Sequence, residues 1–229
     1  MSARRMSARR ICAVVPVKDT AQAKQRLAGM LSAEQRRELA LAMAEDVLQT
    51  LASAAGLAGI LVVTADPAAA AIAARYGARV TGDGARADHT AAVAAAAQRL
   101  VAEGFDMLAL PGDIPLVEPA DIARLLAAQR PPPAFTIVPA RDEMGSNALL
   151  CSPADAVPLR FGDGSFFPHL HAARVRGIEP LVMRLPRIAL DIDTPEDLAL
   201  FRAAPSRTRA RMLLDRWDAD LAAEFGKTT

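Results

Sequence analysis

The chain has 229 residues, 52% of them hydrophobic, enough to bury a full core in one α/β domain. A formal charge of +1 and only 4% aromatic residues leave neither a basic face to track phosphates nor platforms to stack bases, so nucleic acid is excluded as a partner. Cys12 and Cys151 lie in or beside apolar runs and read as buried, reduced thiols of a cytoplasmic protein, with no disulfide or zinc framework. In chain order, residues 1–10 repeat Met-Ser-Ala-Arg-Arg without an apolar stretch and read as a flexible tail, not a secretory signal. Ile11 to Val17 is a predicted buried strand, and Ser32 with Gln35 forms a capping box that opens a helix running to about Ala55. Val47 to Ala65 carries no charge over 19 residues, about a bilayer's span. Gln49, Thr50, Ser53, Gly56 and Gly59 interrupt it, so it reads as a helix end joined to a strand, Ile60 to Thr64, and no membrane partner is expected.

A helix over Pro67 to Tyr76, a short strand over Ala78 to Thr81 and an alanine-rich helix over Thr90 to Glu103 follow. Asp106 to Leu110 reads as a strand and Glu118 to Gln129 as a helix broken by Pro131, Pro132 and Pro133. Phe135 to Pro139 and Asn147 to Cys151 read as extended, Ser165 to Arg174 as helical, and Pro180 to Leu185 as extended. Thr194 and Pro195 open a helix to Arg202, and Ser206 to Phe225 is a charged amphipathic helix that suits either the domain or a second subunit, which puts a homodimer within reach. Alternating strands and helices predict a mostly parallel, doubly wound sheet in one domain, residues 11–204, with a helical extension over 205–229.

Two acidic clusters follow apolar runs: Leu108-Ala109-Leu110 leads into Pro111-Gly112-Asp113, and Ile188-Ala189-Leu190 leads into Asp191-Ile192-Asp193. In an open α/β sheet, ligands bind beyond the carboxyl ends of the strands. Carboxylates at two such ends suit a hard divalent cation such as magnesium, although any one of these aspartates taken alone reads more simply as a turn or helix cap. The first strand ends in Lys18, followed by Lys24 and Arg26, a cationic loop able to neutralise a polyphosphate. No glycine-rich dinucleotide turn and no phosphate-loop motif is present. Gly145-Ser146-Asn147 and Phe161-Gly162-Asp163-Gly164-Ser165-Phe166 are further candidates for binding an anion; in the second, Ser165 is placed to cap a helix whose amino terminus faces the ligand. His169 and His171, two apart on a predicted helix, point to different faces and cannot share a metal ion.

These segments together resemble the 2-phospholactate guanylyltransferase family. The resemblance rests on Val15-Pro16-Val17-Lys18, Ala23-Lys24-Gln25-Arg26-Leu27, Leu110-Pro111-Gly112-Asp113-Ile114-Pro115-Leu116, Gly145-Ser146-Asn147-Ala148-Leu149, Phe161-Gly162 with Ser165-Phe166 and His169-Leu170, and Leu190-Asp191-Ile192-Asp193-Thr194-Pro195-Glu196-Asp197-Leu198. They occur in order over about residues 11 to 202. It implies a single-domain GT-A-like (Rossmann-like) nucleotidyltransferase that joins GMP from GTP to a phosphorylated three-carbon acid with release of pyrophosphate, in the synthesis of coenzyme F-420. The acceptor differs among members: 2-phospho-L-lactate, phosphoenolpyruvate or 3-phosphoglycerate. Carried onto this chain, the resemblance implies magnesium on Asp113 and on Asp191 or Asp193. It also implies acceptor phosphate on Lys18, Ser146, Gly162 and Ser165, with Lys18 taking part in catalysis, triphosphate on Lys24 and Arg26, and a product passed to the next enzyme of the pathway.

The chain departs from the family at Asp88-His89-Thr90, where an Asp or Gly, Leu, Asn run is usual. Thr90 then stands where an asparagine contacts the nucleotide, and weaker discrimination between GTP and other nucleotides is expected. Ser146 stands for the more usual threonine and keeps the hydroxyl. Two alternatives share these features: a molybdopterin- or cytidylyl-type nucleotidyltransferase with another acceptor, and a nucleotide-sensing domain without catalysis.

Overall fold

The computed structural model describes residues 10–162 and 164–225; Asp163, residues 226–229 and, apart from Arg10, the segment read as a tail lie outside them. The elements in chain order are β1 (Ile11–Pro16), α1 (Ala33–Ser53), β2 (Leu57–Val63), α2 (Pro67–Arg75), β3 (Arg79–Thr81), α3 (His89–Ala102), β4 (Asp106–Ala109) and α4 (Pro119–Ala127). They continue with β5 (Ala134–Pro139), β6 (Ser146–Ser152), α5 (Phe166–Val175), β7 (Leu181–Val182), α6 (Pro186–Ala189), α7 (Pro195–Ala203) and α8 (Arg209–Phe225). β1 is buried along its whole length because it pairs in parallel with β2 on one side and β4 on the other. The full sheet runs β3-β2-β1-β4-β6-β5-β7, with β6 antiparallel to both of its neighbours and the other pairs parallel. This is the mostly parallel α/β fold that the alternation of elements predicts.

Side chains alternate across each strand, so β1 serves two cores. Ala13 and Val15 pack with Val47, Leu48 and Leu51 of α1, Ile72 of α2 and Leu125 of α4, whereas Cys12 and Val14 pack with Val93, Ala96 and Leu100 of α3 and Leu170 of α5. Both cysteines are buried and free. α1 and α7 begin where the sequence places their caps, at Ser32 and Thr194. Ser32 accepts from Gln35 N and Gln35 returns a bond to Ser32 N, Asp66 accepts from Ala68 N and Ala69 N, and Glu118 with Asp121 and Thr194 with Asp197 form further capping boxes.

α8 packs on the domain. Asp46 of α1 accepts from the amides of Arg209 and Ala210 at 2.8 and 2.9 Å, and Leu214 enters a third cluster with Leu39, Met43 and Phe201. Among the described residues no helix is long and apolar enough to cross a membrane; the charge-free stretch divides between the end of α1 and β2.

Two expectations change. The extended segment predicted over Pro180 to Leu185 keeps only Leu181–Val182 as strand, and the run before Asp191 is a helical turn, not a strand. Pro186 is the physical reason: its fixed φ and missing N–H suit the first position of a helix, and the turn closes with Ile188 and Ala189 amides on the Leu185 carbonyl.

Candidate active site

The end of β4 delivers Pro111-Gly112-Asp113 to the open edge of the sheet. Gly112 packs beside Val17 and Ala44 of α1, where a Cβ would lie at ordinary contact distances of 3.4 and 3.5 Å. Asp191 and Asp193 reach the same place without a strand. Ile192 N donates to the Asp113 carbonyl at 3.1 Å. Asn147 of β6 donates one side-chain amide to the Ile188 carbonyl at 3.0 Å and to Asp191 Oδ1 at 2.9 Å. Asn147, part of an anion-binding candidate in the sequence, is buried and instead positions the segment that carries Asp191.

Lys24 joins the carboxylates. It lies between two short turns, Thr20–Gln22 and Gln25–Leu27, in a left-handed conformation with φ of 53°. Its Nζ donates to Asp113 Oδ2 at 2.6 Å and to Asp193 Oδ1 at 2.7 Å, and the side chain is 7% exposed. Two residues unremarked in the sequence hold this loop. Asp66 accepts from both the amide and the hydroxyl of Thr20, and Arg36 of α1 donates to the carbonyls of Ala23 and Leu31. Burial works against the ammonium of Lys24, but Asp113 and Asp193 hold its pKa above the usual value. Burial likewise works against ionised Asp113, and Lys24 outweighs it, keeping that carboxyl below the usual range. Asp191 has no such cation: burial first, then the charge of Asp113, pushes its pKa up.

The three aspartates fit a divalent cation on chemical grounds. All offer hard oxygen donors, Asp113 Oδ1 is buried with no hydrogen-bond partner, and the Lys24 ammonium already occupies a cation's place between Asp113 and Asp193. As the side chains lie, no three His, Cys, Asp or Glu among the described residues come close enough to share one ion.

Across the cleft, β6 and α5 build a second cluster. Ser165 is positioned to cap α5 but makes no side-chain cap bond; its hydroxyl donates instead to Ser146 Oγ at 3.1 Å. The cap expected from the sequence is thus replaced by a contact to the neighbouring strand. His169 Nδ1 lies 3.0 Å from the same oxygen, and Nε2 accepts the Arg160 amide at 2.9 Å. Burial lowers the His169 pKa to about 4, so the ring is neutral near pH 7, while His171 is exposed on another face. Gly162 has φ of 122°, which favours glycine, and a Cβ there would meet nothing, leaving its backbone open to the cleft.

Thr90 lines the cleft, and its hydroxyl accepts the Phe161 amide at 2.9 Å and reaches the Phe161 carbonyl at 3.5 Å, so it also tethers the loop that carries Gly162. His89 packs on the Phe161 ring with centroids 4.4 Å apart, and burial lowers its pKa to about 4. Lys18 and Arg26 are exposed on the walls of the cleft; Lys24, expected on a triphosphate, is held by carboxylates. The cleft measures about 1820 Å³ and takes in both clusters. Small-molecule sites are typically about 300–1,000 Å³, so there is room for a nucleotide and a second substrate.

With three carboxylates and a cluster of serines gathered at the open edge of its sheet, the chain is a nucleotidyltransferase by the matches that follow. Among solved structures, a Desulfovibrio desulfuricans protein assigned as a nucleotide-diphospho-sugar transferase superposes with a TM-score of 0.72 at 21% identity, covering 91% of this chain and 95% of its own. A 4-diphosphocytidyl-2C-methyl-D-erythritol synthase superposes with a TM-score of 0.60 at 15% identity, covering 90% and 99%. The chain belongs to the family described as guanylyl transferase CofC like, matched over residues 11–224. It is 42% identical to the phosphoenolpyruvate guanylyltransferase of Rubrobacter xylanophilus over 85% of this chain and 94% of the relative. It is also 38% identical to the 3-phospho-D-glycerate guanylyltransferase of Colwellia psychrerythraea (82% and 89% covered) and 34% identical to the 2-phospho-L-lactate guanylyltransferase of Methanothermobacter thermautotrophicus (89% and 89%).

Proposed function

We propose that the protein transfers the GMP unit of GTP to the phosphate of a phosphorylated three-carbon acid, releasing pyrophosphate, in the cytoplasmic synthesis of coenzyme F-420. The observation that carries this reading is the pairing, in one cleft, of Asp113, Asp191 and Asp193 with the Ser146, Ser165 and Gly162 cradle. The relatives named above take such acids as acceptors, and phosphoenolpyruvate, the acceptor in the name of the 42% relative, is the first to try.

The chemistry asks little of side chains as acids or bases. A phosphate monoester has a second pKa of about 6 and is mostly dianionic near neutral pH, so it attacks without a general base. One acceptor oxygen bonds to the α-phosphorus of GTP as the bond to the pyrophosphate oxygen breaks, and the electron pair leaves with pyrophosphate. The cradle holds the acceptor through Ser146, Ser165 and the Gly162 backbone, while Lys18 and Arg26 offset phosphate charge and Lys24 stands ready to exchange a carboxylate for a triphosphate oxygen. Magnesium on Asp113 and on Asp191 or Asp193 would supply charge neutralisation at the triphosphate. Pyrophosphate release, measured for GTP, CTP and ATP against the three acceptors, tests the reading. Release with GTP that requires an acceptor supports it. Release with CTP alone would move the protein to the cytidylyl type, and nucleotide binding without release would make it a sensor.

A further inference from the structure

The phosphate cradle contains a hydrogen-bond chain with a fixed direction. It starts at the Arg160 amide, which donates to His169 Nε2 at 2.9 Å. That nitrogen therefore carries a lone pair, and a neutral imidazole then bears its proton on Nδ1. Nδ1 lies 3.0 Å from Ser146 Oγ, so His169 donates there. The Ser165 hydroxyl donates to the same oxygen at 3.1 Å. A serine oxygen has two lone pairs, and both are now taken. What remains to Ser146 is its own proton, and the side chain lines the cleft.

We propose that His169 is a positioning residue that fixes Ser146 as a hydrogen-bond donor, so that this point of the cleft receives an oxyanion and refuses a group that must donate. The inference rests on the reading that the acceptor phosphate sits at Ser146, and it adds a selection: the fully ionised phosphate, which is also the nucleophile, matches a hydroxyl that can only donate, whereas a protonated phosphate oxygen facing Ser146 meets no free lone pair. His169 is suited to the task by its surroundings. It is fully buried, its ring lies between Phe135 and Phe161, and burial keeps it neutral.

A plain structural role competes with this one, because the same ring anchors the loop at Arg160. Two substitutions separate them. In His169→Asn the side-chain amide stands where Nδ1 was and can still donate to Ser146, but the Arg160 amide loses its partner. In His169→Gln the longer side chain reaches the Arg160 amide with its carbonyl oxygen and leaves Ser146 without that donor. The KM for phosphoenolpyruvate is expected to rise about tenfold in His169→Gln, the loss of one hydrogen bond of roughly 1.4 kcal/mol, and less than about threefold in His169→Asn, with the GTP KM unchanged in both. The opposite order, equal effects, or no effect in either variant overturns the proposal.

A double-mutant cycle makes the test independent of the size of these effects. If His169 acts through Ser146, His169→Gln in a Ser146→Ala background raises the acceptor KM no further; additive effects assign His169 to the loop alone. Should His169→Gln not fold, as melting curves would show, the cycle is read with His169→Ala, which also frees the Arg160 amide; the proposal then expects a smaller rise in the Ser146→Ala background than in the wild type, and full additivity overturns it. Ser146→Ala alone tests the underlying reading. An unchanged acceptor KM with a raised GTP KM there would displace the acceptor from this cradle, whatever the His169 variants do.

Discussion

Replacing Lys24 by methionine probes how the carboxylate cluster is held, because it keeps most of the side-chain volume and removes only the charge. Two charge-assisted hydrogen bonds, to Asp113 at 2.6 Å and Asp193 at 2.7 Å, are lost. Such bonds are worth about 1.5–3 kcal/mol each. Two corrections reduce the sum. Asp113 and Asp193 are 28% and 45% exposed, so water replaces part of what is lost, and the cost of burying the ammonium disappears with it. The remainder is about 2 kcal/mol, which lowers Tm by roughly 4–8 °C in a domain of this size. The pH dependence has a definite sign. Lys24 depresses the folded-state pKa of Asp113, so its contribution is present above the unfolded pKa of about 3.9 and is lost as pH falls through the lower folded value. The gap between wild type and Lys24→Met is therefore widest near pH 7 and closes below about pH 4. Magnesium should stabilise the variant more than the wild type, since in the wild type it displaces an ammonium, and at a hundredfold excess over Kd binding adds about 2.7 kcal/mol. Thermal melts at several pH values, with and without magnesium, read all of this. A variant that melts with the wild type near pH 7, or magnesium that shifts both equally, would refute the reasoning.

Four other outcomes are expected. Asp113→Asn should lower kcat by at least about 100-fold with folding retained, and a near-wild-type kcat would remove Asp113 from the reaction; of Asp191→Asn and Asp193→Asn, the silent one is not the second ligand. Ser165→Ala should raise the acceptor KM by roughly tenfold or more and leave the GTP KM alone, and the reverse pattern would exchange the two subsites. Thr90→Val should raise the acceptor KM through the Phe161 loop without changing the GTP to ATP ratio; a changed ratio would return Thr90 to the nucleotide. His89 and His169 both have pKa values lowered from 6.5 to about 4, so the unfolded chain binds more protons in that window and Tm should fall as pH drops through it, less steeply in His169→Gln.

Much of the frame was legible in the sequence because it is written in local rules. The apolar runs at β1 and β4, the capping box at Ser32, and the helix opened by Thr194 and Pro195 each follow from a few adjacent residues, and the elements form within a few positions of where those rules place them. Asp113 was findable for the same reason, as the acid that follows a buried strand. The rest depends on distant partners. Asp191 reaches the cleft through the Pro186 turn and Asn147, Lys24 is captured by carboxylates 89 and 169 residues further along the chain, and Ser165 gives up a local cap for Ser146. Periodicity carries no record of such pairings. Only buried polar residues in apolar surroundings, Asn147 in β6 and His169 in α5, hinted at them.

The central claim is that an acceptor phosphate oxygen attacks the α-phosphorus of GTP, and isotope transfer tests it most directly. Phosphoenolpyruvate labelled with 18O in its phosphate is incubated with GTP, magnesium and the protein, and the product is followed by 31P NMR and mass spectrometry. The account predicts a GMP–phosphoenolpyruvate diphosphate with the label in the bridging position, and unlabelled pyrophosphate formed one for one with it. Labelled pyrophosphate, an unlabelled bridge, or pyrophosphate release at the same rate without the acceptor would contradict it.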